Sequence, residues 1–195
     1  MENLIIDTNK FGTDIKEHYE PYELVSETNP ILYKVMPMFN FNSDIDIVPV
    51  INRMKETAIL HRALGLAAPQ VGLEYNLFIM GAEKEFFPCI NPTYELINSD
   101  IVHMTEFCLS FPFLELNISR PESIKATYQD ETGKEITRIF SGISARTFQH
   151  ESQHLLGITF QKMTKPIALK NGLKKREKHM KQLARQLVGN KIKRG

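Results

Sequence analysis

Apolar residues recur at helical spacing in three parts of the chain, with short apolar or alternating runs between them. Ile47, Val48, Ile51, Met54, Ala58 and Ile59 share one face of a 3.6-residue repeat and predict a helix over roughly 44–62. Ser43 is its expected N-cap, Asp44 and Asp46 fall in its first turn, and Gly65 breaks the pattern. Gly142 to Leu156 predicts a second helix with Gly157 as its C-cap. The third runs over about 167–188, where Leu169, Leu173, Met180, Leu183, Ala184 and Leu187 form a stripe among Lys and Arg. Between the first two helices, Asn76 to Met80 reads as a short buried strand, and Pro88 and Pro92 bracket another extended piece that leads into Thr93 to Asn98. Ile101 to Cys108 reads as a strand with Glu106 and Cys108 on one face and Phe107 on the other. Ser123–Asp130 and Lys134–Phe140 flank Glu131-Thr132-Gly133, a hairpin signal. Thr159 to Met163 is a short apolar link, and residues 1–42 are irregular, punctuated by Pro21, Pro30 and Pro37. Strands in the middle with helices around them predict an α+β fold with antiparallel sheet. We expect a single domain over 1–195, with a core of about 1–163 and a basic helical extension of about 164–195.

Charge changes this picture at one end. The net charge is +1, but residues 162–195 carry 12 of the 24 Lys and Arg and only one acid, Glu177. Such a block is a solvated helix face or an arm for a polyanion. No run of 18 apolar residues exists, so no membrane span is expected. Met1 to Asp7 lacks the basic region and apolar core of an export signal, which points to the cytoplasm. In that reducing compartment the two cysteines, Cys89 and Cys108, read as ligand, nucleophile or core packing rather than a disulfide.

The candidate chemistry centres on His150-Glu151-Ser152-Gln153-His154. On a helix, positions i and i+4 share a face, so both imidazoles can reach one metal ion, and Glu151 can act as a general base beside it. The competing reading is a solvated helix with two unrelated histidines. Cys108 is the natural third ligand, since a thiolate with two imidazoles suits a divalent transition metal; otherwise it is a small core residue. His18, His61, His103 and His179 show no ligand spacing, and Cys89 has no partner motif. In Gly65-Leu66-Ala67-Ala68-Pro69-Gln70-Val71-Gly72, small residues allow close approach to the backbone, and Gln70 offers an amide donor for an oxyanion. Read alone, this is a helix-to-loop junction.

Ala63-Leu64-Gly65-Leu66-Ala67-Ala68-Pro69-Gln70, Glu106-Phe107-Cys108-Leu109-Ser110 and His150-Glu151-Ser152-Gln153-His154 together resemble, in order and approximate spacing, the three marker segments of the peptide deformylase family. The resemblance spans roughly residues 25–188. It implies antiparallel sheets wrapped around a central helix that carries the His-Glu-x-x-His motif, followed by a C-terminal helix. It implies one divalent metal on Cys108, His150 and His154, with Fe(II) expected in the cell and Zn(II), Ni(II) or Co(II) as alternatives. Glu151 would be the general base, and Gln70 with the Leu109 backbone N–H would hold the oxyanion. The substrate would be an N-formylmethionyl nascent peptide, paired like an added strand with the backbone at Leu64, Gly65 and Phe107. Leu64, Met104 and Ile143 would line an apolar pocket for the methionine. Members of one class dock on the ribosome through a C-terminal helix, and Lys170 to Arg194 suits contact with ribosomal RNA. Neither membrane nor DNA is expected as a partner.

Three positions depart from the family pattern. Ala63 and Phe107 each replace Gly, and Gln153 replaces an Asp common before the second His. Ala63 is strained if that position needs a positive φ and harmless at a helix end. Phe107 keeps the backbone contact but could narrow the cleft mouth or stack on the substrate. Gln153 should act beyond the ligands themselves. Glu106 and Arg120 could form a buried pair or remain two exposed charges. Two rival readings are another His-Glu-x-x-His metallopeptidase, for which His179 is the one downstream His, and a deformylase-like module without catalysis.

Overall fold

The computed structural model describes residues 19–192; the expectations for residues 1–18, His18 among them, lie outside that range. In α1 (Ile47–His61) the N-cap is Asp46, whose carboxylate accepts from the Val48 N–H, and not Ser43, which belongs to the preceding turn. Pro49 is tolerated because first-turn N–H groups have no partner one turn back. The helix closes on Arg62, a non-glycine residue in the left-handed region at φ 53°. Ala63 does not have a positive φ, so its departure from Gly introduces no backbone strain.

Five antiparallel strands form the main sheet in the order β1 (Gly65–Ala67), β2 (Leu77–Ala82), β3 (Glu85–Leu96), β6 (Ser123–Gln129) and β7 (Glu135–Ser141). The expected hairpin joins β6 to β7, with the Asp130 carboxylate accepting from the Thr132 and Lys134 N–H groups. The two expected extended pieces around Pro88 and Pro92 are one strand, β3, bulged between Ile90 and Thr93. Pro88 lies where β3 pairs with β2 but has not yet met β6, so its missing N–H costs no ladder bond on that open side.

Alternation along β2 places the sheet between two helices. Phe78 and Met80 pack with Ala145, Phe148 and Leu155 of α2 (Gly142–Leu155), whereas Leu77 and Ile79 pack with Ile47, Ile51, Met54 and Ala58 of α1. The C-cap of α2 is Leu156 and not Gly157, which follows it in the left-handed conformation at φ 66°.

A second, two-stranded sheet pairs β4 (Ile101–Glu106) with β5 (Leu116–Pro121) on the other side of α2. Helix and sheet are joined by Gln149 Nε2 to the Pro121 carbonyl at 3.0 Å and by Arg146 Nη1 to the Ile118 carbonyl at 3.1 Å. α2 thus lies between the two sheets, in an α+β fold as expected. β4 ends at Glu106 rather than Cys108, which falls in the turn that follows.

The C-terminal helix α3 (Pro166–Ile192) is longer than predicted at both ends. Leu169 packs on the core of Phe111, Leu114, Leu116, Ile118 and Phe160, while Arg176 pairs with Glu27 at 2.6 Å and Lys175 with Glu115. From Lys181 to Leu187 every side chain except Leu183 is exposed. Among the described residues, no helix is long and apolar enough to cross a membrane.

Candidate active site

One turn of α2 and the turn after β4 bring Cys108, His150 and His154 together. Their ligand atoms all lie within 4.8 Å of one another, with Cys108 Sγ 3.2 Å from His154 Nε2. All three residues are buried. Tetrahedral coordination with bonds of about 2.1–2.3 Å to N and S needs ligands about 3.5 Å apart, so one small cation fits this cluster. Burial alone would raise the Cys108 thiol, but His154 and His150 beside it outweigh that and hold it well below its usual value. Burial likewise opposes a charged His150, yet Cys108 and Glu106 raise it strongly. The lowered thiol favours the thiolate, the form in which Cys108 binds a cation.

Behind these groups, charge is packed densely. The Glu106 carboxylate accepts Arg120 Nε and Nη2 at 2.5 and 2.8 Å, Arg146 Nη1 at 2.6 Å, and hydrogen-bonds His150 Nδ1 at 2.9 Å. The last contact fixes the His150 ring with Nε2 free. Burial works against the Glu106 charge, but Arg120 and His150 overcome it and hold the carboxyl far below its ordinary range. Glu106 and Arg120 thus form the buried pair, not two exposed charges. Arg120 Nη1 also donates to Gln153 Oε1 at 3.0 Å, so Gln153 acts through the arginine that holds Glu106.

Glu151 points into the same centre. It is buried, its Oε2 has no hydrogen-bond partner among the described residues, and burial raises its carboxyl above the usual value, opposed by His150 and His154. A Cβ on Gly65 would lie 2.7 Å from both Glu151 Cγ and Oε1, so the β1 backbone and this carboxylate are in contact only because residue 65 is glycine. Gln70 is fixed by accepting the Ala67 N–H at 2.8 Å, which turns its amide donor toward Ser110 Oγ at 3.2 Å and Cys108 Sγ at 3.6 Å.

These groups open into a cleft of about 930 Å³. Leu64, Gly65, Gln70, Met104, Phe107, Leu109 and Ile143 all line it, so every residue expected at the substrate site borders one cavity. Phe107 is 65 % exposed and stands at the cleft mouth. β1 is the edge of its sheet and pairs with β2 alone, which leaves its other edge available to an extended chain. His179 lies against Phe113 and does not join the ligand cluster, which removes the one downstream ligand of the metallopeptidase reading.

Sequence reasoning missed Arg146. The signal was its spacing: Ile143, Arg146, Thr147, His150 and Glu151 stand at i, i+3, i+4, i+7 and i+8 and share the cleft face of α2.

Comparison with known proteins agrees with this geometry. The family model described as polypeptide deformylase matches residues 21–169. A peptide deformylase of Synechocystis is 34% identical over 138 residues, 68% of this chain and 74% of the relative. One from Thermotoga petrophila is 36% identical over 131 residues, 67% of this chain and 79% of the relative. The crystal structure of the Thermotoga maritima peptide deformylase superposes with a TM-score of 0.70 at 34% identity, covering 75% of this chain and 99% of that one. That of the Synechococcus elongatus enzyme in complex with actinonin gives 0.74 at 30% identity, covering 80% and 86%. The chain belongs to the polypeptide deformylase family, enzymes that remove the N-formyl group from nascent polypeptides.

Proposed function

We propose that Glu151 is the general base of a metal-dependent deformylation centred on Cys108, His150 and His154. The observation that carries this reading is the buried Glu151 carboxylate, whose Oε2 has no hydrogen-bond partner among the described residues, beside the cluster of Cys108, His150 and His154. One thiolate and two imidazoles suit Fe(II), with Zn(II), Ni(II) or Co(II) as alternatives, and a bound divalent ion would polarise the formyl carbonyl and acidify water. Glu151 accepts a proton from the water that attacks the formyl carbon and returns it to the leaving amine nitrogen. The Gln70 amide and the Leu109 backbone N–H donate to the oxygen that gains charge. The carbon–nitrogen bond breaks, giving formate and a peptide with a free amino terminus.

The substrate lies as an extended strand against Leu64 and Gly65 on one side and Phe107 on the other, with the methionine side chain toward Leu64, Met104 and Ile143. The catalytic core is about residues 1–163, and the extension of about 164–195 brings it to the ribosome through Lys and Arg of α3, in the cytoplasm. Lys181 and Arg185, both exposed, support this contact.

The test is formate release from formyl-Met-Ala-Ser by protein reconstituted anaerobically with Fe(II). Turnover that Glu151→Gln abolishes at unchanged metal content is the expected result. Absence of turnover at full metal occupancy refutes the proposal. Deleting residues 170–195 should weaken ribosome co-sedimentation in a salt-dependent way and leave small-peptide turnover intact; equal co-sedimentation refutes the ribosome contact.

A further inference from the structure

The burial pattern around β1 gives an extended peptide one way out of the cleft. Gly65 is packed against Glu151 and Thr147, so a chain paired with β1 has its reacting end there. Beyond Gly65, Leu66 to Val71 are all buried. In the other direction Ala63 is half-buried, Leu64, Arg62 and His61 are exposed, and all four border the cleft. The peptide therefore runs antiparallel to β1, from Gly65 past Leu64 toward Arg62. An extended chain advances about 3.4 Å per residue, so a peptide with its formyl group at Gly65 brings its third residue level with Arg62, about 10 Å away.

The other charges that border the cleft already have partners or a role. Glu27 holds Arg176 at 2.6 Å, Glu106 holds Arg120 and Arg146, and Glu151 faces the ligand cluster. Arg62 forms no ion pair among the described residues, with Glu83 and Glu85 of the hairpin next to β1 included. Its backbone lies in the left-handed region at φ 53° and ψ 40°, where a helix end ordinarily takes glycine. A strained, exposed and unpaired arginine at the exit of the cleft favours a ligand that brings a carboxylate to it.

We infer that Arg62 is a specificity-determining residue, which makes this chain prefer formyl-Met peptides with an acidic third residue over those with a basic one. The inference rests on the deformylase reading above and adds a selection beyond the methionine. Arg62 is exposed, so the attraction is that of a solvated ion pair, a factor of about 2–5 for Glu over Gln, with a similar penalty on Lys. Glu over Lys then comes to about tenfold in kcat/KM in dilute buffer. It shrinks toward unity in about 1 M salt, where charges are screened within about 3 Å.

The experiment measures kcat/KM for formate release from the amidated peptides formyl-Met-Ala-Glu-Ser, formyl-Met-Ala-Gln-Ser and formyl-Met-Ala-Lys-Ser, which differ only in the third residue. The full metal-loaded chain is compared with Arg62→Lys, which keeps the charge, and with Arg62→Gly, which removes it and relieves the left-handed conformation. The expected order is Glu, Gln, Lys in the wild type and in Arg62→Lys at low salt, carried mainly by KM. The expected Glu-to-Lys ratio is near unity in Arg62→Gly and in high salt. Lys at or above Glu in the wild type, or an unchanged ratio in Arg62→Gly, overturns the proposal. Calorimetric binding of the formyl-free amides Met-Ala-Glu-Ser and Met-Ala-Lys-Ser reads the same preference without turnover. No formate from any peptide, with the Glu amide still bound more tightly through Arg62, would sink the deformylase reading and spare this one. Equal formate release from all three peptides would do the reverse.

Discussion

Replacing Gly65 with Ala tests whether the position of the Glu151 carboxylate limits the reaction. The added methyl would meet Glu151 Cγ and Oε1 at 2.7 Å and Thr147 Cγ2 at 2.9 Å. Carbon contacts are comfortable near about 3.5–4.0 Å, so the carboxylate must retreat by most of an ångström or β1 must shift outward. Gly65 does not have a positive φ, so the effect is one of contact and not of backbone strain. Overpacking of this kind costs about 1–3 kcal/mol of stability, and a displacement of about 1 Å in a catalytic group lowers turnover by about 100-fold. The three atoms nearest the new methyl belong to Glu151 and Thr147, none to Cys108, His150 or His154, so metal content should hold. The assay is steady-state formate release beside metal analysis and thermal unfolding. The expected outcome is a drop in kcat of about two orders of magnitude at full metal loading, with KM changed less. Removing the Thr147 methyl by Thr147→Ser in the same chain should rescue little, because both Glu151 contacts remain. Wild-type kcat in Gly65→Ala at full metal loading would refute the reasoning.

Glu106→Gln leaves Arg120 and Arg146 buried without a counter-charge, and chemical denaturation should show a loss of about 3–5 kcal/mol. Because the Glu106 carboxyl lies below its unfolded value of about 4.3, its contribution is complete above that pH and is lost as pH falls toward the folded value. The metal-free wild type should therefore weaken below about pH 4, and the variant's stability should be flatter there. The Tyr128 hydroxyl is buried without a partner among the described residues, so Tyr128→Phe should raise stability by about 1 kcal/mol at neutral pH, read from thermal unfolding. Burial and the nearby Cys89 push that phenol up to about 12, so the wild type should lose further stability as pH rises from about 10 toward 12, and the variant should lose less. Arg62→Gly relieves a left-handed residue at the end of α1 and should stabilise by about 1 kcal/mol, measured as a shift in denaturant midpoint.

The helices were legible because their apolar residues keep helical spacing over three turns or more, as Ile47 to Ala58 do. The cluster of Cys108, His150 and His154 was legible because metal chemistry restricts the residue types and the helix sets the spacing of the two histidines. β5 was not found, and its sequence shows why. Leu116, Ile118 and Arg120 all point inward while Asn117 and Ser119 point out. With an arginine as its third inward residue, the alternation looks polar, and the partner that makes Arg120 buriable is distant in sequence at Glu106. β1 escaped because three residues are too few to display a period. Ser43 and Asp46 are both good caps by residue type; which one caps depends on the turn at Asn40, whose carbonyl accepts the Ser43 hydroxyl. The polar network around Glu106 joins β4, β5 and α2, and no local pattern announces such an assembly.

β2 faces apolar neighbours on both sides, with Phe78 and Met80 toward α2 and Leu77 and Ile79 toward α1. A strand with one wet face resists slippage, because a shift by one residue would expose its greasy side; β2 has no such safeguard. Alignment is instead enforced at its far end. A Cβ at Gly81 would lie 1.9 Å from the Glu85 carbonyl oxygen, so only the frame that puts glycine there lets the hairpin to β3 close. The same frame sets Met80 opposite Gly65 and the Gly81 N–H on the Leu64 carbonyl. A glycine remote from the chemistry thereby acts as the indexing mark that keeps β1, and with it the floor under Glu151, from being assembled one residue out of step.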